Sequence, residues 1–141
     1  MSYPKLSDTV CATGQISLDD LTSIKDAGFV AIINNRPDGE MPGQPQADTI
    51  AQAAEKLGLQ YTHIPVTSPP FSDADITAFA DALDGAGGPV LAHCRSGMRS
   101  TCLWALSQAD KTPADELIAA AANAGFDISG LAPLLAARQS S

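Results

Sequence analysis

The chain has 141 residues, 45% of them apolar and 17% charged, which suits a single globular domain over 1–141 and leaves no room for two ordinary ones. The formal net charge of −8 disfavours nucleic acid and anionic membrane surfaces as partners, and no window approaches the ~18 uninterrupted apolar residues of a membrane span. The opening "MSYPKLSDTV" has no basic segment followed by an apolar run, and three cysteines without regular spacing make no disulfide framework, so a reducing, cytoplasmic location is expected.

"VCATG" (10–14) is a short apolar run ending in glycine and reads as a first strand. "SLDDLTSIKDAG" follows as a helix, with Ser17 as its cap, Leu18, Leu21 and Ile24 on one face and Gly28 as its end. "FVAIIN" (29–34) is apolar without alternation, as expected of a strand covered on both faces. Residues 35–46, "NRPDGEMPGQPQ", are rich in proline and glycine and form a loop. "ADTIAQAAEKLG" is a helix with Ile50, Ala53, Ala54 and Leu57 inward, and "LQYTHIPV" (59–66) is a third strand. Ser72 caps a helix over "DADITAFADAL", and "PVLAHC" (89–94) is a fourth strand. A helix follows from about Met98 to Ala109. Thr112 and Pro113 open another, and "SGLAPLLAAR" closes the chain. This alternation of strand and helix predicts an α/β fold with a largely parallel sheet of about four strands, and such folds bind ligands beyond the carboxyl ends of their strands.

Cys94 sits at such an end, inside "VLAHCRSGMRS" (90–100), and the loop 35–46 lies at another. Taken alone, a cysteine at a strand end is a small buried hydrophobe. Here it precedes Arg95, Ser96, Gly97, Met98, Arg99 and Ser100, within a tight turn that runs into a helix. Gly97 allows close backbone approach or positive φ, and the turn's N–H groups with the helix N-terminus form an anion nest that also stabilises a thiolate. Arg99 adds bidentate contacts to an oxyanion. Only four arginines occur in this acidic chain, Arg36, Arg95, Arg99 and Arg138, and two of them flank this cysteine closely. The pattern points to a nucleophilic Cys94 and an anion cradle from Arg95, Ser96, Gly97, Met98 and Ser100, with no cofactor and no metal. Cys11 and Cys102 lack this setting; Cys102 belongs on the helix with Leu103 and Leu106, its nearness in sequence leaving a weak role as resolving thiol.

"HCRSGMRS" resembles the H-C-x-x-G-x-x-R-[S/T] loop of protein tyrosine and dual-specificity phosphatases, except that the arginine arrives one residue early, as Arg99, and Ser100 stands where the phosphatase arginine would be. The shorter spacing is similar to the C-R-S-G-x-R-S loop of rhodanese-type sulfurtransferases. With "GQIS" (14–17), "AIINNRPDGEMPGQP" (31–45), "HIPV" (63–66) and "FSDADI" (71–76), the chain from Gly14 to about Ala109 resembles the phosphatase-like domain of the beta-lactamase-hydrolase-like proteins, a family also described as small sulfur transferases. The resemblance implies a cysteine-phosphatase-like fold with strand two beside strand four. It also implies fusion to, or genetic company with, persulfide dioxygenases of the metallo-beta-lactamase fold.

Phosphoryl transfer to an ordinary alcohol calls for a general acid. Dual-specificity phosphatases place an aspartate just after the strand that "HIPV" resembles, where this chain has Thr67 and Ser68. Asp73 and Asp75 read as first-turn helix residues. Asp38 is the candidate acid, with Glu40 beside it, should the loop 35–46 fold over Cys94 and bring Arg36 to the anion; the alternative is a loop held by Asx turns and prolines. Sulfur transfer from thiosulfate or a persulfide to a thiol acceptor needs no strong acid. The leading expectation is therefore a sulfurtransferase carrying a Cys94 persulfide. The second is a phosphatase acting on a phosphorylated substrate through phosphocysteine, and the third a non-catalytic anion-binding module. His93 is expected to point into the sheet, and His63 to be structural.

Overall fold

The structure is a computed structural model and describes residues 3–139. Four strands, β1 (Val10–Thr13), β2 (Ala31–Asn34), β3 (Gln60–His63) and β4 (Val90–His93), form one parallel sheet in the order β1-β4-β2-β3. The helices are α1 (Asp20–Asp26), α2 (Ala47–Lys56), α3 (Asp73–Ala86), α4 (Met98–Gln108), α5 (Ala114–Asn123) and α6 (Ala132–Gln139), with a 3-10 turn at Ser129–Leu131 before the last.

Successive strand residues point to opposite faces, and both faces are covered. Ala12, Ile33, Val90 and Ala92 pack with Phe79, Leu103, Leu117 and Leu135 on the side of α3 to α6. Cys11, Ile32 and Leu91 pack with Leu21, Ile24, Ile50 and Ala54 on the side of α1 and α2. That double coverage is why β2 and β4 are buried throughout and apolar up to their last residues, Asn34 and His93, with no alternation in sequence. The edge strand β3 is the polar one.

The register aligns the strand ends. Thr13 and Asn34 both pair with His93, and Asn34 pairs with His63. Gly14, Asn35, Ile64 and Cys94 therefore follow in one row at the carboxyl edge, and strand two does neighbour strand four.

Three local expectations are corrected. α1 begins at Asp20, not after Ser17, because the Asp20 carboxylate accepts from Ser17 N–H (2.8 Å) and closes 17–20 as a separate turn; Leu18 is consequently 46% exposed instead of inward. β3 ends at His63, although Ile64 and Val66 stay buried, with their N–H groups donating to the Asn34 and Asn35 carbonyls. Pro113, not Thr112, occupies the cap of α5. Ser72 does cap α3, accepting from Asp75 N–H at 3.1 Å.

Candidate active site

Cys94 leaves β4 with no exposed surface, and the chain must turn sharply to start α4 four residues later. Gly97 makes that turn at φ 98°, in the left-handed region. Nothing larger fits: a Cβ there would lie 2.8 Å from the Phe126 ring and 3.2 Å from the Thr13 carbonyl carbon. Gly14 is the second close approach, where a Cβ would meet Arg95 O at 2.8 Å. The loop is thus pressed between the β1 exit and Phe126.

This folding turns backbone donors onto sulfur. Gly97 N–H donates to Cys94 Sγ at 3.1 Å. Burial pushes the Cys94 thiol up, but the N–H groups of Ser100, Ser96, Gly97 and Arg99 together outweigh it and bring the pKa below the ordinary thiol value. The two other cysteines move the opposite way, Cys102 being pushed up to about 11 by burial and then by the neighbouring Cys94 charge. Of the three cysteines, only Cys94 is shifted towards the thiolate, and Cys102 is core, as its place among Leu103 and Leu106 suggests.

The loop 35–46 reaches the site through Glu40. Its Oε2 accepts from Arg99 Nη1 at 2.8 Å and its Oε1 from Arg99 Nη2 at 2.9 Å. The same Oε1 accepts from Arg36 Nε at 2.9 Å. Arg99 first, then Arg36, hold the Glu40 carboxyl down to about 2 against partial burial. Arg36 is 4% exposed and also donates from Nη1 to Gln15 Oε1 at 3.1 Å. Asn35, fully buried, accepts from Ser100 Oγ at 2.8 Å and donates to Ile64 O at 3.0 Å.

The structure brings Cys94, Ser96, Gly97, Arg99 and Ser100 together. Arg95 and Met98 belong to the same turn with exposed side chains, and Arg95 contributes its carbonyl, which accepts from Gln15 N–H at 3.3 Å. Arg36 is drawn in through Glu40. Asp38 is not: its Oδ1 accepts from Ala47 N–H at 2.8 Å, at the start of α2, where the cap residue Gln46 makes no side-chain bond of its own. The carboxylate placed at the arginines is Glu40, two residues further on, because Asp38 is drawn to the open N–H groups of α2. His93 points into the core with 0% exposure, and burial pushes it down to about 4. His63 Nε2 lies 2.8 Å from Arg36 O, a structural role. Asp73 faces Arg138 at 3.1 Å. Sequence reasoning missed Gln15 and Asn35. Both were visible only as members of "GQIS" and "INNRPDGE", and neither residue type by itself signals a site. Among the described residues, no group of three His, Cys, Asp or Glu side chains could hold a metal ion, and no helix is long and apolar enough to cross a membrane.

The family model for the phosphatase-like domain of beta-lactamase hydrolase-like proteins matches residues 3–111. The chain belongs to this family. A beta-lactamase hydrolase-like protein of Agrobacterium fabrum is 40% identical over 109 residues, covering 77% of this chain. The chain spans only 25% of that relative's length. Among solved structures, a candidate phosphatase of Neisseria meningitidis superposes with a TM-score of 0.85 at 33% identity, covering 98% of this chain and 99% of its own. Kinase associated phosphatase, in a form with its catalytic-site cysteine replaced by serine, superposes at 0.74 with 15% identity, covering 99% and 95%, and so speaks to the fold alone. The fold of this phosphatase-like domain is that of the protein tyrosine and dual-specificity phosphatases.

Proposed function

We propose that the domain is a thiol-dependent group-transfer enzyme with Cys94 as nucleophile, and that the group it carries is sulfane sulfur. The observation behind the choice of sulfur is the fate of the carboxylates. Glu40 is ionised between two arginines, Asp38 caps α2 and Asp73 faces Arg138, so none is set up to give a proton to a leaving alcohol. Sulfur transfer needs no such proton. The Cys94 thiolate attacks the outer sulfur of thiosulfate, the S–S bond breaks with its electron pair leaving on sulfite, and Cys94 holds a persulfide anion. An acceptor thiolate then attacks that terminal sulfur, takes it as its own persulfide and releases the Cys94 thiolate. The loop N–H groups and Arg99 stabilise the anion throughout. A small sulfur donor and a thiol acceptor are the proposed partners, in a cytoplasmic setting, alongside a persulfide dioxygenase activity in the same protein or beside it.

The second reading is phosphoryl transfer through a phosphocysteine. The family and fold likenesses speak to it more directly than to sulfur chemistry, and backbone N–H donors stabilise phosphoryl oxygens as well as a sulfur anion. The deciding comparison is kcat/KM for thiosulfate or glutathione persulfide against that for a phosphoserine peptide, together with the intact mass after exposure to each donor. A sulfur adduct on Cys94, lost in Cys94→Ser, with slow alkyl-phosphate hydrolysis, is the expected outcome. Efficient Cys94-dependent hydrolysis of the peptide with no persulfide reverses the order of the two readings. Turnover of neither leaves an anion-binding module.

A further inference from the structure

The loop that carries Cys94 is bound into a closed ring of side chains. Arg95 O accepts from Gln15 N–H, Gln15 Oε1 accepts from Arg36, Arg36 donates to Glu40, and Glu40 accepts from Arg99, which returns the chain of contacts to the loop. Three segments far apart in sequence meet in it. Glu40 is the one member that carries negative charge.

We propose that Glu40 is a positioning residue that fixes which edge of Arg99 faces the reacting anion. A guanidinium has five N–H donors in a rigid plane. Both donors of Arg99 Nη1 are taken, one by Glu40 Oε2 and one by Val66 O at 2.8 Å. One donor of Nη2 goes to Glu40 Oε1. The remaining Nη2 donor and Nε–H share one edge, the two-donor face that matches an oxyanion. Arg99 also interacts electrostatically with Cys94, which places the guanidinium within reach of that sulfur. Glu40 is fixed in turn by Arg36, whose side chain is almost wholly buried and cannot swing away.

The proposal rests on the reading of the Cys94 loop as an anion cradle, and it makes a counter-intuitive claim about sign. Coulomb attraction alone says that removing a carboxylate from an anion site tightens anion binding. A positioning role says the reverse, since Arg99 then loses its fixed edge. The test is protection of Cys94 against the neutral reagent iodoacetamide by inorganic sulfate, mapped by peptide mass. The sulfate concentration giving half protection is compared in the native chain, Glu40→Gln and Glu40→Asp, with melting curves to show that each is folded. The expected result is half protection shifted to about tenfold higher sulfate in Glu40→Gln, the loss of about one charge-assisted contact, with Glu40→Asp between it and the native chain. Equal or tighter protection in a folded Glu40→Gln overturns the role of Glu40 while leaving the cradle intact. Absence of protection in the native chain removes the cradle itself, and the proposal with it. If Glu40→Gln does not fold, Glu40→Asp decides: protection equal to the native chain's overturns the proposal.

Discussion

Ser100 Oγ donates to Asn35 Oδ1 across 2.8 Å, with both residues fully buried and 65 positions apart in sequence. Asn35 N–H donates to His93 O at 2.7 Å and its side-chain amide to Ile64 O, so one residue ties the exits of β2, β3 and β4 to the first turn of α4. Ser100 stands where a phosphatase loop has its arginine, and here that position is used to anchor the loop. Ser100→Ala should cost about 1–3 kcal/mol, because it leaves a buried acceptor without its donor. Asn35→Ala should cost more, and the double variant less than the sum. Urea unfolding of all four proteins measures this coupling; strict additivity would show that the pair is not an anchor.

Cys94 should react as a thiolate at neutral pH. Four N–H groups oppose the effect of burial, and the net shift is downward. The rate of Cys94 alkylation against pH should have its midpoint below the ~8.5 of a free cysteine. A midpoint at or above that value would falsify the assignment of the cradle to thiolate stabilisation.

Acid sensitivity should divide between two groups in separate windows. Glu40 titrates at about 2 when folded against 4.5 as reference, so its contribution is full above pH ~4.5 and is lost as pH falls through about 2. The stability gap between the native chain and Glu40→Gln should therefore narrow over that range. His93, where burial outweighs a contact with the Cys94 backbone, titrates at about 4 against 6.5. The unfolded chain binds that proton first, so stability should fall as pH drops from 6.5 towards 4. His93→Leu should flatten this slope at small cost near pH 7, since it replaces a buried neutral ring with an apolar side chain of similar size. An unchanged slope in urea titrations assigns the acid limb elsewhere.

Asp38→Ala should weaken the start of α2 by about 1 kcal/mol, the usual cost of losing a cap, and leave Cys94 chemistry nearly intact. A fall of ~10²-fold or more in alkyl-phosphate turnover, with stability unchanged, would return Asp38 to the role of general acid.

The fold and the tight loop around Cys94 were legible because each is written locally. Apolar runs such as "AIIN" and "VLAH" mark doubly covered strands, and Cys94, Gly97 and Arg99 lie within six residues of one another. What was not legible depends on contacts between distant segments. Nothing near Glu40 says that it, and not Asp38, meets Arg99 59 residues away, because the choice is made by the unfilled N–H groups at the start of α2. Leu18 misled for a similar reason. Its spacing fits the α1 face, yet the Ser17–Asp20 turn delays the helix by two residues and leaves Leu18 outside.

Gly97→Ala should abolish sulfate protection of Cys94 even if the domain still folds. Two separate obstacles act at this position. The backbone is at φ 98°, which costs any residue with a Cβ, and that Cβ would overlap the Phe126 ring at 2.8 Å. The ring is the more compliant partner, since Phe126 is only half-buried and follows the left-handed Gly125. The Thr13 carbonyl carbon at 3.2 Å is backbone of β1 and cannot yield in the same way. Gly97→Ala combined with Phe126→Ala should therefore regain part of the lost stability, by relief of the ring contact, without regaining native sulfate protection, because the φ penalty and the β1 contact remain. Full recovery of protection in the double variant would mean that Phe126 alone shapes the loop and that the left-handed conformation at Gly97 is not required for the cradle.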